Sequence, residues 1–434
     1  MTHWPHRLFC SLVLVAALVP ARAELSATEQ RIVEAVKTRS SAALALLEKA
    51  AQINSGTLNT EGVKEVGRLF RSEFDELGFA TRWIEMPPAM ARAGHLAAER
   101  VGTRGRQLLL IGHLDTVFEP FMPVARWQAD GARVRGQGVA DMKGGVVVLL
   151  EALRALRSVG ELDGLRLAVL LTGDEESVGN PATVARADLV EMAARSDVVL
   201  SFEGMAPDRP GQETVTIGRR GAGGWTVEVT GRQGHSSGIF RPGPGFGAAY
   251  ELARIVNAFR EQLIEPGLTF SAGVMMAGTE VDFDPAQARG SVAGKNNIIP
   301  PKAMARGDLR ALSAEQRERA RSRMREIVAQ SLPGTSATIT FSETYPPMAA
   351  TPANQRLQAL YSQVSVDLGF GAVGAADPQT RGAGDVQFAA AREGSLDGLG
   401  AAGGGSHSPF EFLLPGSIEK NAIRAAIMIH RLTR

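Results

Sequence analysis

His113, Asp115, Asp141, Glu175, Glu176, Glu203 and His407 are the residues of this chain whose types and placement could do chemistry. His113 ends the run Leu108-Leu-Leu-Ile-Gly-His113, and Asp115 follows two residues on, where a carboxylate can orient an imidazole. A cocatalytic metal pair needs imidazole and hard oxygen donors, one carboxylate that bridges, and a base beside the attacking water. The spacing offers each of these, and each also has a plainer reading. Asp141, in Gly138-Val-Ala-Asp-Met-Lys-Gly-Gly145, could equally cap a helix. Asp174-Glu-Glu176 could be solvated loop acids, although massed negative charge behind a buried strand destabilises a fold unless a cation or solvent offsets it. Glu203, in Ser201-Phe-Glu-Gly204, repeats that design with one carboxylate. His407, in Gly403-Gly-Gly-Ser-His407, could be an exposed loop histidine whose glycines merely allow close backbone approach. His235 is also loop-placed, while His95 and His430 read as surface or helix-face packing.

The elements that must position these residues alternate. Residues 26–47 and 61–77 have helical apolar spacing, 107–111 is a continuous apolar strand, and 144–159 is a helix. Residues 165–171 form a second buried strand, 182–194 a helix and 197–202 another strand-like run. This pattern predicts an α/β fold: a mostly parallel central sheet with helices on both faces. Ligands bind beyond the carboxyl ends of such strands, where His113, Glu175, Glu176 and Glu203 fall. From residue 213 the texture becomes strand-strand-helix-strand-strand-helix-strand, which predicts an inserted α+β sandwich over 213–343. The expected organisation is therefore a catalytic domain over 24–212 and 344–434, interrupted by that insertion.

Bulk properties narrow the class. The chain has 434 residues, enough for several domains, and its 47 basic and 46 acidic residues give no electrostatic case for nucleic acid. Residues 1–23 read as a signal peptide: His3, His6 and Arg7, an apolar stretch from Leu8 to Val19, then Ala21-Arg-Ala23 as a cleavage site. A secreted or periplasmic protein without a membrane anchor is expected. Cys10, the only cysteine, would leave with this segment, so any metal must be held by histidine and carboxylate.

Taken together, the motifs H-L-D-T, G-x-x-D-M-K-G-G, D-E-E, F-E, G-x-x-H-S-S, N-I-I-P with D-L-R, and a late G-x-H resemble those of a known family. It is the dizinc metallopeptidase family of glutamate carboxypeptidase, acetylornithine deacetylase, succinyl-diaminopimelate desuccinylase and aminoacylase. The resemblance covers nearly the whole chain after residue 23. It implies two Zn2+ per subunit, with Co2+ or Mn2+ as alternatives. Asp141 would bridge them, His113 and Glu203 would complete one site, and Glu176 and His407 the other. Glu175 would be the general base and Asp115 the partner of His113, with a cis Asp141–Met142 peptide. It further implies a homodimer whose inserted domain brings His235 to the partner's site, a substrate-contacting Asn297, and Arg310 as a clamp for a substrate carboxylate. Gly384 falls in the segment near the substrate, where Arg381-Gly-Ala-Gly-Asp385 departs from the family's G-G-[ST]-D and leaves specificity open. Glutamate at 203, where aminopeptidases of the family have aspartate, resembles the carboxypeptidases and deacylases. The implied reaction is amide hydrolysis by water activated between the metals. The favoured version releases a C-terminal, glutamate-like residue from a small peptide or N-acyl amino acid. The alternatives are an N-acyl-amino-acid deacylase or dipeptidase, and a noncatalytic binding protein keeping the fold.

Overall fold

The computed structural model describes residues 23–434 except 124–125, 206–211 and 286–287, so residues 1–22 of the expected signal peptide lie outside it. A six-stranded sheet runs in the order Ala80–Ile84, His95–Arg100, Leu165–Thr172, Arg104–His113, Val198–Ser201, Ser395–Leu396. The first two pairings are antiparallel and the other three parallel, so the sheet is mixed with parallel pairings in the majority. Of the two antiparallel strands, His95-Leu-Ala-Ala-Glu-Arg100 escapes a sequence reading because it is rich in residues that do not favour strands. What holds it is burial between the strands on either side.

Both faces of the central strands are covered. Leu108 and Leu110 point into a core shared with the helices Lys143–Ser158 and Pro415–Thr433. Leu109 and Ile111 point the other way, against Leu189 and Met192. A continuous apolar run is what a strand covered on both faces requires. Register then aligns the strand ends: His113 pairs with Thr172, and Ile111 with Ser201. Glu175, three residues past Thr172, and Glu203, two past Ser201, therefore leave the same sheet edge as His113.

The helix Lys143–Ser158 reaches that edge through a close approach. A Cβ on Gly145 would stand 1.9 Å from the Phe202 carbonyl oxygen, and one on Gly144 would stand 2.3 Å from that of Val139. Glycine here lets the Asp141 turn lie against the strand that delivers Glu203. Gly145→Ala should thus cost about 1–3 kcal/mol by overpacking and part Asp141 from Glu203. A wild-type urea midpoint would contradict this.

Residues 221–345 carry a second, antiparallel sheet in the order Thr269–Phe270, Lys302–Ala311, Gly221–Gly231, Thr335–Tyr345, with Val274–Gly278 also on Lys302–Ala311. The helices Gly247–Gln262 and Ala314–Ala329 pack on it around a separate core containing Trp225, Leu252, Phe259, Met324 and Ile327. Trp225 and Phe259 meet edge to face at 5.4 Å. The first strand expected of this unit, over 215–217, is observed as Thr214–Val215 and instead pairs in parallel with Gly374–Ala375. A hairpin of Glu280–Asp284 and Arg289–Ala293, largely exposed, was not anticipated because its strands bury too little to show an apolar stripe. Two helices, Ala27–Lys37 and Ser40–Gln52, replace the single one expected over 26–47. Among the described residues no helix is long and apolar enough to cross a membrane.

Candidate metal centre

His113 is fully buried at its strand end, and its Nδ1 lies 3.0 Å from the Asp115 carbonyl oxygen and 3.4 Å from Asp115 Oδ1. That leaves Nε2 facing the cavity, 3.3 Å from Asp141 Oδ1, 3.5 Å from Glu203 Oε1 and 4.0 Å from Glu175 Oε2. On the opposite side, His407 Nε2 lies 3.3 Å from Asp141 Oδ2 and 3.0 Å from Glu176 Oε2. The two oxygens of Asp141 therefore address two different histidines. Donors bound at about 2.0–2.2 Å to one tetrahedral ion stand roughly 3.4 Å apart. The histidine–carboxylate distances from 3.0 to 3.5 Å fit that spacing on both sides of Asp141. Donor atoms of His113, Asp141 and Glu176 lie within 4.8 Å of one another, as do those of His113, Glu175 and Glu203.

The electrostatics point the same way. Burial, chiefly, and then neighbouring carboxylates hold Glu175 well above the usual carboxylate range and push Glu203 up to about 8, against the opposing pull of His113. Glu176 is raised by burial and then Asp141, against His407, and its Oε1 has no hydrogen-bond partner. His407 is lifted to about 10, first by its hydrogen bonds to Asp141 and Glu176. His113 is pulled up by Glu203, Asp115 and Asp141, although burial, the largest influence, opposes them. Such a set gives up protons when a cation binds.

The supports of these donors come from far along the chain. Asp115 Oδ2 accepts from Thr57 Oγ1 at 2.7 Å and from the Glu176 amide at 3.1 Å, while Oδ1 accepts from the Glu175 amide at 3.0 Å. One buried carboxylate thus orients His113 and the backbone of both glutamates. The Asp141–Met142 peptide is cis, as the resemblance implies. Asp141 does not cap the helix: Met142 holds the cap position and no side chain caps there. Instead Glu411 binds the turn, Oε1 accepting from the amides of Ala140 and Asp141 at 2.8 and 3.0 Å and Oε2 from Gly138 at 2.9 Å. Asp174, first of the acidic run, turns into the protein and pairs with Arg186 at 2.6 Å. Arg186, fully buried, also holds Asp385 at 2.6 Å, and Asp385 accepts from Thr172 Oγ1 at 2.5 Å.

A sequence model of peptidase family M20/M25/M40 matches residues 109–431, well over half of the chain. The chain belongs to this family. It is 28% identical over 411 residues to carboxypeptidase G2 of Pseudomonas sp. (strain RS-16), covering 93% of this chain and 92% of the relative. A succinyl-diaminopimelate desuccinylase of Methylobacterium nodulans is 34% identical over 251 residues, 53% of this chain and 58% of that one. Among solved structures, the aminopeptidase PepT of Bacillus cereus superposes with a TM-score of 0.72 at 15% identity, covering 91% of this chain and 98% of that one. A dinuclear metal-binding M20 peptidase of Bacillus subtilis superposes with a TM-score of 0.61 at 14% identity, covering 91% and 99%. This M20 hydrolase therefore shares a metal-dependent peptidase and deacylase family and its mixed α/β fold, with a candidate metal site in place.

The cavity of this M20 chain, about 300 Å³, is lined by Asp141, Glu175, Glu176, Glu203 and His407 and also by Arg219 and Arg381. Arg219 was not singled out from the sequence. It is buried against Asp397, with Nε and Nη2 at 2.9 and 2.5 Å from one oxygen. A Cβ on Gly384 would come 3.2 Å from its guanidinium carbon, so Gly384 makes room for Arg219. His235, Asn297 and Arg310 do not line the cavity of their own chain. His235 is exposed and binds Ser237 Oγ through Nδ1 at 2.8 Å. Asn297 is exposed, and its carbonyl accepts from the Ser236 amide at 2.9 Å. Arg310 pairs with Asp308 at 3.2 Å on its own strand. His95 is a correction: it is neither at the surface nor on a helix but buried at a strand start. Its Nε2 donates to the Ala185 carbonyl at 2.9 Å, and Nδ1 accepts from the Gly173 amide. His430 is nearly buried on the face of the C-terminal helix, as expected.

Proposed function

We propose that this chain is an exported, homodimeric dizinc carboxypeptidase that releases a C-terminal, glutamate-like amino acid from a small peptide or N-acyl amino acid. The observation that carries the dinuclear reading is Asp141, one oxygen toward His113 and the other toward His407. His113, Asp141 and Glu203 would hold one ion, and Asp141, Glu176 and His407 the other. The ions, when bound, would supply Lewis acidity that acidifies water and polarises the amide carbonyl. Glu175 takes the proton from the attacking water and returns it to the departing amine. Its carboxylate accepts no hydrogen bond from any described residue while its amide is held by Asp115, so it is fixed in place yet open to a proton. Asp115 keeps Nδ1 of His113 engaged and so directs Nε2 to the cavity. In this reading His235 serves the partner subunit's site, and Asn297 and Arg310 act from the same inserted segment. Full-length similarity to carboxypeptidase G2 supports the carboxypeptidase version over the desuccinylases, whose similarity spans about half of the chain.

The reading is tested by loading metal-free protein with zinc. Two ions per chain should bind, and zinc at a thousandfold above its dissociation constant should raise unfolding free energy by about 4 kcal/mol for each ion. The loaded protein should cleave an N-acyl-glutamate faster than an N-acetyl amino acid with an uncharged side chain or a free dipeptide. Hydrolysis without preference for an acidic C-terminal residue would reject the carboxypeptidase version and favour the deacylase. Zinc binding without any amide hydrolysis would favour the noncatalytic alternative.

A further inference from the structure

The two arginines of the cavity are in different states. Arg219 is neutralised: Asp397 takes its Nε and Nη2, and the carbonyls of Gly382 and Ala383 take Nη1 at 2.6 and 3.1 Å. Arg381, facing the same cavity, reaches among the described residues only the Gly204 carbonyl, with Nη2 at 3.5 Å, and its buried Nε has no hydrogen-bond partner. Among the described residues no carboxylate forms an ion pair with it, and Asp397 and Glu203 act on it only at longer range, against Arg219 beside it. A partly buried guanidinium next to a second one is costly unless an anion offsets it. Gly204 follows Glu203, so whatever occupies the free face of Arg381 lies beside the metal donors. Arg310, by contrast, is already paired with Asp308 and lies off this cavity.

We propose that Arg381 is the residue that recognises a carboxylate of the substrate, binding it through Nε and Nη2 inside the metal-site cavity. The fork of a guanidinium matches a carboxylate in this way, and the unpartnered Nε is the donor such a pair needs. The proposal rests on the hydrolase reading above for the identity of the substrate, not for the binding of the anion. Either part of the substrate could carry the carboxylate: the released amino acid, as in an N-acyl-glutamate, or the acyl group, as in an N-succinyl amine.

The test separates binding from turnover. Zinc-loaded wild type, Arg381→Gln and Arg381→Lys are titrated calorimetrically with glutarate and with its half-amide, glutaramate. Wild type should prefer glutarate by roughly 10- to 100-fold, the worth of a charged hydrogen-bonded pair. Arg381→Gln should lose that preference, and Arg381→Lys should recover part of it, with two zinc ions per chain in all three proteins. A preference that survives in Arg381→Gln overturns the proposal, as does a wild type that shows none. Turnover of N-acyl-glutamate against N-acyl-glutamine, and of N-succinyl against N-butyryl amines, then tells which side carries the anion. The pair whose acid-to-neutral ratio of kcat/KM collapses in Arg381→Gln identifies it. Glutarate preference in a protein that hydrolyses none of these amides would support Arg381 while rejecting the hydrolase reading.

Discussion

Glu175→Gln should retain two zinc ions per chain and lose about 10²- to 10⁴-fold in kcat, the usual worth of a positioned general base. Glutamine keeps the size and shape of the side chain, so the cavity and the Asp115 hydrogen bond to the residue 175 amide should persist. The group removed is a carboxylate 4.0 Å from His113 Nε2, close to the metal donors but outside the two sets that flank Asp141. Burial, with Glu203, Asp385 and Glu176, raises its proton affinity against the pull of His113, which suits a group that must take a proton and hold it briefly. KM should change little, because the loss belongs to the transition state rather than to substrate binding. Steady-state kinetics with metal analysis decide the matter. Undiminished hydrolysis at full metal content would remove Glu175 from the mechanism.

Arg186→Met should destabilise the protein by about 3–5 kcal/mol, the cost of leaving buried carboxylates without their cation. Arg186 is fully buried, with Nε on Asp385 and Nη1 on Asp174, each at 2.6 Å, and Nη2 on the Asp174 carbonyl at 3.1 Å. Methionine fills much of the volume but leaves two acids facing each other in a dry interior. Activity should fall as well. Asp174 precedes Glu175, whose carbonyl accepts from Tyr345 Oη at 3.1 Å, and Tyr345 packs on Phe388 three residues past Asp385. Loosening this layer frees the base from below. The change should appear as a lower urea midpoint at constant slope; a loss under about 1 kcal/mol would mean that the arginine is not what holds the two acids.

The candidate metal donors were legible because each sits at a strand end or a glycine-rich turn, and strand ends are marked by long apolar runs. His113 after Leu108–Ile111 is the clearest case. The groups behind the donors were not. Thr57, Glu411 and Arg186 carry no local signal, since a threonine before a helix, a lone glutamate after an aromatic and an arginine in an alanine-rich stretch between two short helices are ordinary. They acquire their roles from register between distant segments. Arg219 could have been found from its place near the start of a strand in Gly218-Arg-Arg-Gly221, but nothing local tells it from the half-buried Arg220. In the fold, strands that follow apolar periodicity were readable. His95–Arg100 and the exposed hairpin were not, because one is built from alanine and charge and the other buries almost nothing. His95 misled for the same reason: its surroundings become apolar only once the Ala185 helix is laid over it.

The chain order of the donors sets the way this centre comes together. His113, Asp141, Glu176 and Glu203 all precede the second sheet, whereas His407 follows it. During synthesis the side chains of the set around His113 therefore emerge long before His407, which arrives with the last segment together with Glu411, the support of the Asp141 turn. Under the dinuclear proposal, occupancy of a second ion would report a finished chain: a polypeptide cut short after the second sheet would lack both His407 and the Glu411 that holds the Asp141 turn.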